Sequence, residues 1–285
     1  MEFALRIATL DSAFKTPCEL CNTELCKTGL GELCPDAQLT ALYFGTEFCQ
    51  ELIPGIKDAA AFCAHCAECG LEAVLLTPLV THKGLTRLDR LFGDLTRRGM
   101  FPAIVFNDWG VLELLRKKHP SFPLRMGRLM NRGLRDPRLD MQDSGPEGEN
   151  IQRGAGIRKL ASSLGVSAVE SDADLEPGFL GGGADGLQRA LHIPFTFAAS
   201  GRNCLEKAAA TLAARGKITR GIFTQGLKSG CTAPCRGISR KENRQDTQKE
   251  MWRAGNTLFF KAPLEWISRH LALADRVVFH EQPIP

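Results

Sequence analysis

Short apolar runs recur along the chain, and most are followed by a stretch with helical periodicity. The runs are rich in β-branched and aromatic residues and cover 3–10, 39–45, 71–78, 101–108, 123–130, 166–172, 193–200 and 276–282. Strands that alternate with helices pair in parallel, with the helices packed outside. Eight such units favour a closed (β/α)8 TIM-like barrel, which can be irregular or incomplete, over an open doubly wound sheet. No Gly-rich dinucleotide motif follows the first strand, which also argues against the open sheet.

Three segments interrupt this alternation, and we expect them to be loops of a single barrel domain that covers 1–285. They are the Cys-rich loop 11–38, the polar Gly/Pro-rich loop 136–156 and the basic loop 217–250. A further extended run, NTLFFKAP at 256–263, predicts an added strand before the last helix.

Composition and charge narrow the functional classes. Hydrophobic residues make up 44% and charged residues 24% of the chain, which is typical of a globular protein. No run is long enough to span a bilayer and the N-terminus has no signal-peptide pattern, so we expect a cytoplasmic protein without a membrane span. The net charge of +4 is uneven, because residues 215–244 contain eight Lys/Arg and one Glu. Such a basic stretch binds nucleic acid, attracts a small anion or is simply a solvated face.

Eleven cysteines are an unusual number for a chain without a secretory signal. In a reducing compartment, metal or iron–sulfur ligation is a better explanation than disulfides. The alternative is that they are small buried apolar residues, which fits helix positions better than Gly/Pro-rich loops. The expected barrel register brings Cys49, after the second strand, and Cys204, after the seventh, to the same face.

Two further groups of cysteines have metal-ligand spacing. The first is a C-x2-C-x4-C-x7-C pattern formed by Cys18, Cys21, Cys26 and Cys34, which predicts a possible second iron–sulfur cluster or a zinc site. The second group, Cys63, Cys66 and Cys69, lies on nearly one face of a predicted helix. It either contributes to a site or packs against the barrel.

The segments LYFGTEFCQELIPGIKD, GLEAVLLTP and VFNDWGVLELL resemble the collagenase-like U32 peptidase family, and within it the UbiV branch of oxygen-independent ubiquinone biosynthesis. The resemblance runs from about Thr40 to the C-terminus. It implies one 4Fe-4S cluster held by four cysteines, which match Cys49, Cys204, Cys231 and Cys235. Four thiolates suit such a cluster, although a zinc ion with the same ligands stays an alternative. The N-terminal cysteine-rich loop, the segment 136–156 and the long gap between Cys204 and Cys231 depart from the branch.

The resemblance implies an iron–sulfur subunit of an oxygen-independent hydroxylation system. Such a subunit pairs with a second family member, UbiU-like, and the pair acts on a small aromatic quinone precursor with prephenate as the oxygen donor. Polar residues at the expected C-terminal strand ends are compatible with this role. The candidates for orienting groups or taking protons are Asn107, Asp108 and Glu170, and those for binding a carboxylate are Arg128, Arg132 and Arg202. The alternative for each is a hydrogen bond that only stabilises the rim.

Three other functions stay open. A peptidase agrees with the family name, but the chain has neither a G-x-S-x-G nor an H-E-x-x-H motif. An RNA-base hydroxylating protein agrees with the basic stretch 215–244, although aromatic residues are scarce there. A non-catalytic electron-transfer subunit agrees with the cysteines alone.

Overall fold

The computed structural model describes residues 1–10, 38–131, 135–140, 156–175, 186–201, 204, 206–208, 221 and 230–285. Eight of its strands form a closed barrel in the order β1-β12-β7-β6-β5-β4-β3-β2. They are β1 (Glu2–Arg6), β2 (Gln38–Gly45), β3 (Glu72–Leu76), β4 (Ala103–Phe106), β5 (Leu124–Met126), β6 (Val166–Asp172), β7 (Gln188–Ile193) and β12 (Arg276–His280). All neighbouring pairs are parallel, so the predicted TIM-like α/β barrel is confirmed.

The helices lie between the strands in sequence, as the periodicity predicts. They are α1 (Ile56–Glu68), α2 (His82–Arg97), α3 (Trp109–Lys118) and α4 (Leu264–Leu271), and residues 156–163 are helical too. Helix α2 shows why: its buried residues Leu88, Leu91, Phe92 and Leu95 recur at helical spacing and form one apolar face. Among the described residues, no helix is both long and apolar enough to cross a membrane.

Alternation along the strands separates two layers of the core. Side chains such as Phe3, Leu42 and Phe106 belong to the large cluster that packs the strands against the helices. The residues between them form a smaller cluster inside the barrel, made of Ala4, Ala41, Tyr43, Val74, Leu76, Ala103, Val105, Ala190 and Val278. Several of these are alanines, which leaves room inside the barrel for long polar side chains.

The predicted seventh barrel strand, 193–200, is wrong. The barrel uses Gln188–Ile193 instead, and the chain then leaves the barrel through a cis Ile193–Pro194 bond. Strand β8 (Phe195–Ser200) belongs to a second, antiparallel sheet of order β8-β11-β10-β9. The prediction failed because IPFTFAAS is more apolar than QRALHI, whose outward and inward positions mix charged and apolar residues.

The second sheet, which we call the side sheet, contains β9 (Arg240–Glu242), β10 (Met251–Ala254) and β11 (Thr257–Lys261) besides β8. Strand β11 confirms the added strand that NTLFFKAP predicts. Strand β9 lies within the basic stretch 217–250, which is therefore not all loop. Phe197 and Phe259 of this sheet pack on Phe48, which follows β2, so the side sheet is joined to the rim of the barrel.

Candidate functional site

Four cysteines line one cavity of about 290 Å³ at the C-terminal rim of the barrel. They are Cys49, Cys204, Cys231 and Cys235, the four that the resemblance implies. Cys49 follows β2 and precedes a short 3-10 turn at Gln50–Leu52, whereas Cys204 follows β8 of the side sheet. Cys231 and Cys235 come from the segment before β9. The side sheet therefore brings together thiols that are far apart in sequence, and we call this space the thiol cavity.

Backbone conformation shapes the thiol cavity around the sulfur atoms. Ala233 has a positive φ of 54°, and its N–H donates to Cys231 Sγ at 3.4 Å. Gly255, with a φ of +58°, lies so close to Cys235 that a Cβ there would be 3.1 Å from Cys235 Sγ. N–H groups aimed at sulfur and glycines beside it suit a ligand that places negative charge on the thiolates.

The thiols of the cavity are free and partly shielded from solvent. Burial raises the pKa of Cys49, and it raises the pKa of Cys235 to about 11. The charges of the other thiols of the cavity raise both pKa values further, whereas N–H groups of Glu51 and Leu52 lower that of Cys49. A metal bound by such thiols would deprotonate them, and its binding would release protons.

Four thiols are a donor set that suits either a zinc ion or an iron–sulfur cluster. Among the described residues, no group of three or more His, Cys, Asp or Glu side chains is arranged to hold one metal ion. Zinc draws four ligands to about 2.0–2.3 Å from one point. An iron–sulfur cluster separates its thiolates, because several irons and sulfides stand between them, and four thiols around one cavity are compatible with that.

The other residues predicted to bind metal or substrate lie away from the thiol cavity or outside the described residues. Cys18, Cys21, Cys26 and Cys34 lie outside the described residues, as do Arg132 and Arg202. On α1, Cys66 is fully buried in the barrel–helix core, Cys63 is half-buried and packs on that core, and Cys69 is exposed. Burial alone raises the pKa of Cys63 to about 11. The three thus run from core to surface across the helix.

Arg128, a predicted substrate ligand, is fully buried and bound to carboxylates of the chain itself. Its Nε and Nη2 atoms donate to Glu47 at 3.0 and 2.7 Å, and its Nη1 donates to Asp172 at 2.7 Å and to the Phe195 carbonyl at 3.2 Å. Arg135 donates to the second oxygen of Asp172 at 2.8 Å. These contacts join the segments after β2 and β5 to the end of β6 and the start of β8. A role of Arg128 in substrate binding stays a prediction.

Glu170, a predicted proton acceptor, lies inside the barrel in a second buried network. Arg125 Nε donates to its Oε1 at 2.7 Å, and the Tyr43 hydroxyl donates to the same atom at 3.2 Å. His192 Nε2 is 2.9 Å from Oε2, and His192 Nδ1 is 2.7 Å from His280 Nε2. Burial acts to raise the pKa of Glu170, but Arg125 and His192 lower it to about 2. The carboxylate is therefore ionised.

Asn107 and Asp108, the other predicted catalytic residues, make local structural hydrogen bonds. Asn107 Nδ2 donates to the Thr77 carbonyl at 2.9 Å, and its Oδ1 accepts from Leu129 N at 3.1 Å. Asp108 is the N-cap of α3, where its Oδ1 accepts from Gly110 N at 2.7 Å. These contacts are the rim hydrogen bonds that the alternative interpretation describes, and a catalytic role for either residue stays a prediction.

Sequence reasoning missed the partners of these networks. They are Arg6, Tyr43, Glu47, Arg125, His192 and His280, and all six are buried. Most share one signal, namely a polar residue at an inward position of an otherwise apolar strand. His192 in QRALHI and His280 in RVVFH both have it.

No protein-family model matches the chain, and no curated protein matches it in sequence. Among solved structures, the U32 peptidase Mk0906 is similar over 100% of this chain and 94% of its own, with 9% identity and a TM-score of 0.44. The spore cortex-lytic enzyme SleL of Bacillus megaterium QM B1551 is similar over 98% and 70%, with 7% identity and a TM-score of 0.39. A family GH18 chitinase from Cycas revoluta has 12% identity and a TM-score of 0.28 over 98% and 94%. At these scores, the fold assignment rests on the strand order of the chain itself.

Proposed function

We propose that the thiol cavity binds a 4Fe-4S cluster through Cys49, Cys204, Cys231 and Cys235. One observation carries the proposal: four cysteines from three separate parts of the chain line the same cavity. The space beside them is also suitable, because Phe48, Leu79 and Val80 give the cavity an apolar part and Lys207 adds a positive charge to its lining. When bound, the cluster supplies electron transfer or an open iron coordination site.

At the level of the cell, we propose an iron–sulfur subunit of an oxygen-independent hydroxylation system of the UbiV type within the U32 peptidase family. The motif around YFGTEFC and the barrel fold support this proposal, and so does the position of the four thiols. The protein would act with a UbiU-like partner on a small aromatic substrate, with prephenate as oxygen donor. This chain's own contribution is to hold the cluster at the rim where barrel and side sheet meet.

The first experiment measures iron, zinc and acid-labile sulfide in the full chain purified anaerobically, together with its visible spectrum. We expect about four irons and four sulfides per chain with absorbance near 400 nm. About eight irons would place a second cluster on Cys18, Cys21, Cys26 and Cys34. Zinc without sulfide would overturn the cluster and leave a zinc site.

Single variants identify the ligands. Each of Cys49→Ala, Cys204→Ala, Cys231→Ala and Cys235→Ala is expected to lose most of the iron, because three thiolates hold the cluster poorly. Cys66→Ala and Cys69→Ala are matched controls, one buried and one exposed, and should keep it. Iron lost in Cys66→Ala but kept in Cys49→Ala would move the site to α1.

The cellular role has its own test. The chain and a co-expressed UbiU-like partner are incubated anaerobically with a quinone precursor and prephenate, and the hydroxylated product is measured by mass spectrometry. Gelatin and casein serve as substrates in a parallel assay. Proteolysis that persists in Cys49→Ala, without hydroxylation by the native pair, would favour the peptidase. A salt-dependent mobility shift with transfer RNA would favour the RNA alternative.

A further inference from the structure

The chain of hydrogen bonds from Glu170 ends on a ring nitrogen that has no partner among the described residues. A carboxylate only accepts, so His192 Nε2 donates to Glu170 at 2.9 Å. In a neutral ring His192 Nδ1 then accepts, and His280 Nε2 donates to it across 2.7 Å. His280 Nδ1 is left as a buried acceptor, and it has no hydrogen-bond partner within the described part of the chain.

Arg6 offers an unpaired donor on the neighbouring strand. Arg6 and His280 are register partners in the parallel pair β1–β12. Arg6 Nη1 and Nη2 donate to the carbonyls of Ile7 and Gly45 at 2.6 and 2.7 Å, but its buried Nε meets no acceptor among the described residues. A buried unpaired polar atom costs about 1–3 kcal/mol. An unpaired donor and an unpaired acceptor on register partners of neighbouring strands match a hydroxyl group, which accepts and donates at once.

We propose that Arg6 Nε and His280 Nδ1 bind the hydroxyl group of water or of a small alcohol, and that the His280–His192–Glu170 chain accepts its proton. As the O–H bond breaks, the proton moves to His280 Nδ1, and the Nε2 proton of His280 passes to His192 Nδ1. The positive charge then lies on His192, whose other N–H faces Glu170. The oxyanion stays beside Arg6, and no oxidant or reductant takes part.

The surrounding charges favour this distribution. Burial and the positive charges of Arg128 and Arg6 hold the pKa of His280 well below its usual range, and a protonated His192 acts in the same direction. His280 therefore does not keep the proton. His192 has an ionised carboxylate at 2.9 Å and a second one, Glu47, that also acts on it electrostatically. Relay through two rings thus moves the charge to the ring that has an anion beside it.

A cavity of about 580 Å³ lies at the ends of the same strands. Its lining includes Ala8, two residues after Arg6, and Gln282, two residues after His280. It also includes Gly45, whose carbonyl accepts from Arg6. Most of the other lining residues are apolar, such as Phe44 and Leu52, which suits an alcohol or phenol with an apolar body. Leu52 lines both cavities, but Arg6, His192 and His280 are not part of the thiol cavity, so variants of these three residues test this proposal separately from the cluster.

The first test reads the protonation of each ring directly. Two-bond proton–nitrogen correlation spectra of the histidine-labelled full chain are recorded between about pH 5 and 8. His280 is expected to be neutral with its proton on Nε2 throughout. His280→Gln and His192→Gln assign the signals, and His82→Gln is the control for an exposed histidine. A proton on His280 Nδ1 at neutral pH would overturn the relay, and the native chain alone decides this.

The second test uses 4-nitrophenol, with 4-nitroanisole as the matched probe that lacks the O–H. Binding of 4-nitrophenol should shift the His280 signal and yield the yellow anion at a pH about one unit below its solution pKa, an effect of about tenfold. Glu170→Gln should bind the probe without ionising it, and 4-nitroanisole should do neither. An ordered water between Arg6 Nε and His280 Nδ1 in a high-resolution crystal structure would support the water form instead. If 4-nitrophenol causes no response and the crystal structure shows no such water, the proposal is overturned.

Discussion

The thiol cavity and the buried networks of the barrel lie at the same end of the strands, but their polar groups are arranged in opposite ways. In the networks, Arg128 and Glu170 are satisfied almost completely by other residues of the chain. In the thiol cavity, four thiols gather with few hydrogen bonds between them and the chain. A buried charge must be paired for the chain to fold, whereas a thiol is weakly polar and can be buried without a partner. The fold thus requires the pairing of Arg128 and Glu170 whatever else these residues do, whereas it does not require four thiols around one cavity.

The largest effect is expected from Arg128→Ala, which tests whether the buried network around Arg128 stabilises the fold. It leaves Glu47 and Asp172 buried without their cation, which should lower the free energy of unfolding by about 3–5 kcal/mol. Urea unfolding followed by circular dichroism measures the loss. Arg116→Ala, the same change on the exposed face of α3, should stay within about 0.5 kcal/mol of the native chain. Equal stability of both variants would contradict a structural role for Arg128.

The pH dependence of stability also tests the buried networks. His280 is kept neutral in the fold, so the free energy of unfolding falls as pH drops below the ordinary histidine pKa of 6.5. Glu170 adds a second loss, because its pKa is 4.5 when unfolded and about 2 in the fold. Its contribution is complete above pH 4.5 and disappears as pH falls towards 2.

Variants separate these two stages. His280→Gln should remove the loss that begins near pH 6.5, and Glu170→Gln should flatten the part between 4.5 and 2. The free energy of unfolding is measured at each pH with urea. An unchanged profile in both variants would show that other groups control acid unfolding.

On the side of the thiol cavity, Gly255→Ala tests how tightly the chain fits around Cys235. Both Gly255 and Gly99 have a positive φ, +58° and +67°, so alanine at either costs about 1–2 kcal/mol. Only at Gly255 does the new Cβ meet a cavity thiol, and at Gly99 it meets nothing within 4 Å. We expect Gly255→Ala alone to lower the iron content. A similar iron content in the two variants would contradict the fit.

The smallest effect is expected at Cys66, a thiol that lies in the hydrophobic core and not in the thiol cavity. Cys66→Ala removes one buried sulfur from the core and should cost about 1 kcal/mol without loss of iron. Cys69→Ala, at the exposed end of α1, should leave the unfolding curve unchanged. A larger loss for Cys69→Ala than for Cys66→Ala would reverse the assignment of core and surface.

Several of these features were predictable from the sequence, and others were not. Seven barrel strands and most helices follow from periodicity, because the repeat reflects which side each residue buries. The strand at Gln188–Ile193 was missed because inward His192 and outward Arg189 weaken its pattern, and the more apolar β8 follows at once. The thiol cavity needed the family resemblance, since spacing alone does not relate Cys49 to Cys235. The pairs formed by Arg128 and Glu170 depend on distances across the barrel, which the sequence does not contain.

The order of the cavity's parts along the chain has a consequence for how the protein is made. Cys49 precedes Cys235 by 186 residues. At a translation rate of about 5–20 residues per second, Cys49 leaves the ribosome roughly 10–40 s before the last thiol of its cavity. The barrel also closes only when β12, the last of its strands along the chain, pairs with β1 and β7. A cluster bound by these four thiols would therefore be inserted only after Cys235 has been made, and until then the nascent chain carries Cys49 without its partner thiols.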